Sequence, residues 1–196
     1  MDDVVKQAMA KWPNVPHCFG WLSLDARGHW RMRDEAAQQQ NLPGDKIEHV
    51  ALRGFINRNY DHDPQGRWYF QNGPQRVYVN LEATPFIART DPQLGFVLQT
   101  GAELTALEAV FMTDAGQLIL QSDNRIALLD DRDLSGCLSM FEMNGSAVDD
   151  QALLTWLSEP AAPLYFVYRQ QRITAQWLAA DGLPARFGYI QRPQPD

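Results

Sequence analysis

Cysteine is scarce in the 196 residues: only Cys18 and Cys137 occur, too few for a disulfide framework or a four-thiolate metal site. Long apolar runs are missing as well. The longest, Leu164 to Tyr168, has five residues, where a membrane-spanning helix needs about 20. The start, Met-Asp-Asp-Val-Val-Lys, has neither the basic nor the apolar stretch of a secretory leader. These absences set the expectation of a cytoplasmic protein without a membrane span. Lysine is limited to Lys6, Lys11 and Lys46. Residues 1–98 balance 11 basic against 11 acidic residues, whereas residues 99–196 set six arginines against 13 acids. A binder of phosphate backbones needs a clustered basic field for counterion release, and an acidic half repels polyanions and anionic membranes. The charge distribution therefore argues against nucleic acid as a partner. What is present is ordinary: 45% hydrophobic and 21% charged residues exclude collagen-like and disordered chains.

The pattern along the chain predicts short elements. Val4, Val5, Ala8 and Met9 share a helical face over 1–11, stopped by Trp12-Pro13 and Val15-Pro16. Phe19–Leu24 and Trp30–Arg33 flank Asp25-Ala26-Arg27-Gly28, a hairpin turn in which glycine supplies positive φ. Residues 34–44 read as a polar connection. Asp45, with Glu48 three residues on, has capping-box spacing and predicts a helix with Ile47, Val50, Ala51 and Phe55 on one face. Arg67–Gln71 and Arg76–Glu82 read as paired strands, Val77, Val79 and Leu81 alternating with Tyr78, Asn80 and Glu82. Asp25-x-x-Gly28-x-Trp30 recurs as Asp63-x-x-Gly66-x-Trp68, which marks two hairpin turns rather than a repeat protein.

Asp91-Pro92 is the expected boundary. Beyond it, strands are expected at 94–99, 107–113, 117–121, 126–129 and 137–143. A helix over 149–159 has Leu153, Leu154 and Leu157 near one face, and a hairpin follows at 164–169 and 172–178. An edge segment at 187–190 and a frayed tail from Arg192 complete the reading. The fold class is α+β, rich in antiparallel sheet, with two β-rich halves each carrying a short helix. Residues 1–90 form the half with aromatic and arginine hairpins, and 91–196 the acidic half.

Few motifs point to chemistry. Asp61-His62-Asp63-Pro64-Gln65-Gly66 matches the first half of a calcium-binding EF-hand loop, but Asn72 stands where the bidentate Glu belongs, so a capped turn is expected. His17, His29, His49 and His62 lack zinc-ligand spacing, and no nucleophile elbow, phosphate loop or dinucleotide fingerprint occurs. Cys18 and Cys137 read as small buried hydrophobes, and Asp130-Asp131-Arg132-Asp133 as a solvated loop. No catalytic residue, metal or cofactor is expected. The most informative pattern interleaves aromatics with arginines, in Trp30-Arg31-Met32-Arg33, Arg67-Trp68-Tyr69-Phe70 and Arg76-Val77-Tyr78. Such sets stack planar groups or grip anions, so Trp30, Arg31, Arg33, Trp68, Arg76 and Tyr78 are the candidate ligand-binding residues. The functional expectation is a non-catalytic binding protein for a small anionic or planar ligand, or for a protein partner. The alternative is a metal-dependent or hydrolase-like enzyme using His17, His49 and His62 with Asp61 or Asp63.

The segment 57–88 resembles a family of conserved, uncharacterised proteobacterial proteins. Their shared pattern runs from a Gly-x-Trp hairpin through a helix ending in Arg-x-Asp-x-Asp-Gly to Tyr/Trp-rich strands and an Ala-Pro-Phe-Val-Ala-like segment. Asp61, Asp63, Gly66, Trp68, Tyr69, Pro85, Phe86 and Ala88 match, whereas the Glu35–Gly44 insertion and Thr84 depart. The resemblance covers about 20–90. It implies a compact α+β protein with two β-rich halves, and it carries over no activity and no catalytic residue.

Overall fold

A computed structural model describes residues 1–195. They form two compact units, one from residues 1–85, 99–101 and 187 onward, the other from 86–98 and 102–186. Each unit is built on a mixed, mostly antiparallel sheet with short helices, so the fold is α+β and rich in β-structure. Among the described residues, no helix is long and apolar enough to cross a membrane.

The first unit contains α1 (Asp3–Lys11), β1 (Cys18–Leu24), β2 (Trp30–Met32), α2 (Glu35–Gln39), β3 (Asp45–Lys46), α3 (Val50–Arg58), β4 (Tyr60–His62), β5 (Trp68–Asn72) and β6 (Gln75–Leu81). Its sheet order is β3-β2-β1-β6-β5-β4, with β1 and β6 parallel. Strand alternation sends Leu22, Leu24, Trp30, Val79, Leu81 and Phe70 to one face, where Phe55 of α3 meets Phe70 edge-on at 5.4 Å. The other face carries Ser23, Arg31, Tyr78 and Asn80.

Two expectations in this unit are corrected. The supposed connection over 34–44 contains α2, capped by Asp34, whose carboxylate accepts from Ala37 N–H at 2.8 Å. Asp45 caps nothing. It pairs with Met32 in β3, and Ile47 N–H donates to Trp30 O at 2.9 Å, so cross-strand pairing keeps 45–47 extended. The helix begins five residues after Asp45, with His49 Nδ1 accepting from Leu52 N–H at 3.2 Å. Its phase shifts accordingly: Val50 is 73% exposed and Ile56 1%.

The two Asp-x-x-Gly-x-Trp segments fold alike. Asp25 Oδ1 accepts from the N–H groups of Arg27 (3.0 Å) and His29 (2.8 Å); Asp63 Oδ1 accepts from those of Gln65 (3.0 Å) and Arg67 (3.0 Å). Gly28 and Gly66 both adopt φ 78° and donate to the carbonyl of their aspartate. The remaining carboxylate oxygen takes an arginine Nε in each case, from Arg31 at 2.7 Å and from Arg67 at 2.8 Å. Asp63 Oδ2 also accepts from Tyr78 OH at 3.0 Å. Protein donors thus occupy both Asp63 oxygens, and the segment resembling half a calcium loop is a closed turn.

Gly66 meets a second constraint, because a Cβ there would collide with the Gly188 carbonyl. The C-terminal segment presses on this turn: Ile190 N–H donates to Gly66 O at 2.9 Å, and Gln191 O accepts from Leu81 N–H at 2.8 Å. The expected edge at 187–190 reduces to one parallel bridge, Arg67 with Ile190. Pro193 is buried, so the tail does not fray from Arg192; Asp196 lies outside the described residues.

The second unit contains β7 (Phe86–Asp91), β8 (Gly95–Leu98), β9 (Glu103–Leu104), β10 (Ala109–Thr113), β11 (Leu118–Ser122), β12 (Arg125–Leu129), α4 (Leu134–Cys137), β13 (Phe141–Met143), β14 (Ser146–Ala147), α5 (Asp150–Ser158), β15 (Leu164–Tyr168), β16 (Gln171–Leu178) and all but the last residue of α6 (Leu183–Phe187). Asp91, next to the expected boundary, ends β7, and the chain changes units at Pro85–Phe86. The sheet order is β14-β13-β15-β16-β10-β11-β12-β7-β8-β9. The sheet curls: Tyr168 of β15 donates to Leu104 O of β9 at 3.0 Å, and its ring lies 4.9 Å from that of Phe96 in β8. Phe141 and Phe166 fill the space enclosed. Residues 137–143 are a strand only from Phe141, because α4 and a 3₁₀ turn precede it. Asp149 caps α5 through Ala152 N–H at 2.7 Å, but Leu153 and Trp156 face inward while Leu154 is 58% exposed.

Removing one partner of a buried, hydrogen-bonded ion pair costs about 3–5 kcal/mol, so Asp63→Ala lowers the urea midpoint sharply. Asp61→Ala, two residues away and exposed, stays within about 0.5 kcal/mol. Acid weakens the fold through the same groups. Burial raises the Asp25 and Asp63 carboxyls, but the hydrogen bonds from His29 N–H and Arg31 at Asp25, and from Arg67 and Tyr78 at Asp63, outweigh it and hold both below the ordinary value. Their contribution is complete above the unfolded aspartate pKa, about 3.9, and is lost as pH falls through the lower folded values. Urea midpoints measured between about pH 6 and pH 3 fall, and less steeply in Asp63→Asn than in the wild type.

Candidate functional site

Strand alternation separates the six candidate ligand-binding residues. Trp30 is 2% exposed on the face covered by α3, where its Nε1 donates to Asn57 Oδ1 at 2.7 Å. Trp68 is half-buried, with its ring 4.9 Å from Tyr60 and 4.8 Å from His62. Tyr78, on the opposite face, is 1% exposed beneath Phe19, with ring centroids 4.5 Å apart. Arg76 lies on that face too, its guanidinium 4.4 Å above the Tyr69 ring. Trp30, Arg33 and Tyr78 are interior, so the six do not make one exposed stacking face. The structure instead brings Arg31 and Arg33 together in the wall of a cleft.

The cleft floor is a row. Arg31 on β2, Ser23 on β1 and Asn80 on β6 are direct cross-strand partners, which sets neighbouring side chains about 5 Å apart on one face. Above them lies a cavity of about 250 Å³ whose walls include Asp25, Arg33, Glu82 and Arg192. Two features of this part of the fold deliver those walls. The Asp25 turn holds Arg31 in place, and Glu82 Oε2 accepts from Ala26 N–H of the same turn at 3.0 Å. The C-terminal segment, anchored on Leu81 through Gln191, brings in Arg192.

Three arginines against two carboxylates leave the lining one positive charge in excess, in a chain of net charge −7. The Asp25–Arg31 pair neutralises itself. Arg33 does not. Its guanidinium donates to Leu42 O at 2.9 Å, Ala37 O at 3.4 Å and Gly20 O at 3.5 Å, with no carboxylate partner among the described residues. A buried cation held by carbonyl dipoles alone keeps its full charge, and a nearby anion offsets that cost. Donors are also left over. Arg31 uses Nε on Asp25 and Nη1 on Gly44 O, and its Nη2 has no partner among the described residues. The Asn80 amide likewise has none there, and Ser23 Oγ reaches Pro43 O only at 3.4 Å.

Other candidate groups are dispersed or closed. His17 packs edge-on to Tyr78, His49 caps α3, His62 lies beside Trp68, and His29 Nδ1 is 3.1 Å from Asp25 Oδ2. Among the described residues, no three His, Cys, Asp or Glu side chains are arranged to hold a metal ion. Asp130, expected in a solvated loop, is instead fully buried, and Arg132 draws its carboxyl down to about 2. Cys137 is 1% exposed, its thiol pushed up to about 11 by burial and the charge of Asp133. The sequence reading missed Ser23, Asn80, Glu82 and Arg192. Alternation placed Asn80 and Glu82 on the wet face of β6, but the β1–β6 register that aligns Asn80 with Ser23 has no local signal.

Among curated proteins, none matches this chain. In fold it is similar to the crystal structure of a DUF1285 family protein from Silicibacter pomeroyi DSS-3, at 12% identity and a TM-score of 0.51 over 87% of this chain and 86% of that one. A DUF1285 family protein from Shewanella baltica OS155 aligns with 59% of this chain and 88% of its own, at 11% identity and a TM-score of 0.41. The model of the family DUF2944, described as "Protein of unknown function (DUF2946)", matches residues 1–194, and the chain belongs to that family.

Proposed function

We propose that the protein is a non-catalytic binding protein whose cleft over Arg31, Ser23 and Asn80 takes a small anionic ligand. The observation that carries this reading is Arg33, a buried cation with only carbonyl partners, set beside a row of unused donors in an acidic chain. Size supports it: about 250 Å³ is below the roughly 300–1,000 Å³ of drug-sized sites and suits a small metabolite. The burial of Trp30 and Tyr78 favours the anionic over the planar ligand, because neither ring is available for stacking. A cytoplasmic, proteobacterial setting belongs to the same proposal, and the free thiols of Cys18 and Cys137 suit a reducing compartment.

Thermal unfolding at constant ionic strength tests the reading, with chloride replaced in turn by acetate, malonate and phosphate. Ligand at 100 times its Kd stabilises by about 2.7 kcal/mol, so a bound anion raises Tm by several degrees. Asn80→Asp sets a carboxylate in the donor row and abolishes the rise. If no anion exceeds chloride, or if Asn80→Asp responds like the wild type, the cleft is not the site.

A further inference from the structure

We infer that the cleft selects a tetrahedral oxyanion, the phosphate group of a small phosphorylated molecule, gripped between Arg31 of the sheet and Arg192 of the C-terminal segment. This rests on the preceding reading of the cleft as an anion site and narrows it to one chemical class.

The argument is a count of donors. A carboxylate is planar, has two oxygens, and is best met by a guanidinium offering two parallel N–H groups. Arg31 already gives Nε to Asp25 at 2.7 Å and an Nη1 proton to Gly44 O at 3.1 Å. Arg33 gives one proton from each of its three nitrogens to carbonyls, three of its five N–H groups. Three of the five Arg31 N–H groups, one on Nη1 and two on Nη2, remain, and with Ser23 Oγ and the Asn80 amide they give the floor more donors, across three adjacent strands, than the two oxygens of one carboxylate engage. Donors distributed over a row suit a group with three terminal oxygens pointing in different directions.

Charge is compatible with the same class. With Arg31 neutralised by Asp25, the cations left in the lining are Arg33 and Arg192, opposed only by Glu82. Net of Glu82 one positive charge remains, which the charge of about −1.5 to −2 on a phosphate monoester at neutral pH more than offsets. Arg192 is well placed to respond, because it lies in an irregular segment fixed just before it by Gln191 O on Leu81 N–H at 2.8 Å.

Isothermal titration of the full chain with inorganic phosphate and with acetate, at equal ionic strength, tests the assignment. Phosphate is expected to bind about tenfold or more tightly than acetate, a difference of about 1.4 kcal/mol. Arg192→Ala, an exposed change that leaves the fold intact, is expected to weaken phosphate by about tenfold and acetate by less. Asn80→Ala reports on the floor independently. Acetate binding as tightly as phosphate, with both weakened by Asn80→Ala, would overturn the phosphate assignment and leave the anion cleft standing. Phosphate binding that neither substitution alters would place the site elsewhere and overturn both readings, as would the absence of binding by either anion.

Discussion

The carboxylate of Asp63 is buried and accepts four hydrogen bonds, from Gln65 N–H, Arg67 N–H, Arg67 Nε and Tyr78 OH. Such a group is tolerated in an interior only when its charge is paired and its lone pairs are used. Meeting that condition fixes several elements at once. The turn between β4 and β5 is closed, β6 is tied to it through Tyr78, and Gly66 is left in the one conformation that lets the C-terminal segment settle against it. That segment carries Arg192 into the cleft. Asp25 performs the parallel task one hairpin earlier, holding the guanidinium of Arg31 while contributing to the cleft wall.

The cleft follows from where the charges are satisfied and where they are not. Four arginines of the first unit meet a carboxylate or a ring: Arg31 with Asp25, Arg67 with Asp63, Arg58 with Asp2, and Arg76 over Tyr69. Arg33 turns instead to three carbonyls, which take three of its five N–H groups without cancelling its charge. Hydrogen bonding and charge compensation are separate requirements, and the difference between them leaves a local field that favours anions.

Local chemistry was legible in the sequence. Both Asp-x-x-Gly-x-Trp turns, the helix α5 and the paired strands flanking Asn72-Gly73 are set by near neighbours, and the structure shows them. Competition between local signals was not. Asp45 has the better helix-cap chemistry, yet pairing with Met32 claims it for a strand, so His49 caps instead. Non-local geometry was the largest loss. Arg31 and Arg33 stood out by composition, but Ser23 and Asn80 join them only through a parallel register between strands more than fifty residues apart in sequence. Arg192 arrives from the far end of the chain. Alternation also parts neighbours within the candidate set: a tryptophan beside an arginine in a strand points to the other face, so Trp30 lies in the core while Arg31 lines the cleft.

The most direct test of the cleft as an anion site is a nitrogen–proton correlation spectrum of the full chain, recorded as inorganic phosphate is added, with the arginine Nε–H and asparagine side-chain signals assigned. The account predicts that Arg31, Arg33, Arg192 and the Asn80 amide shift together along one saturable curve while Arg89 and Arg132 of the second unit stay in place. Shifts centred on Arg89 and Arg132, or spread evenly over all arginines without saturation, would contradict it.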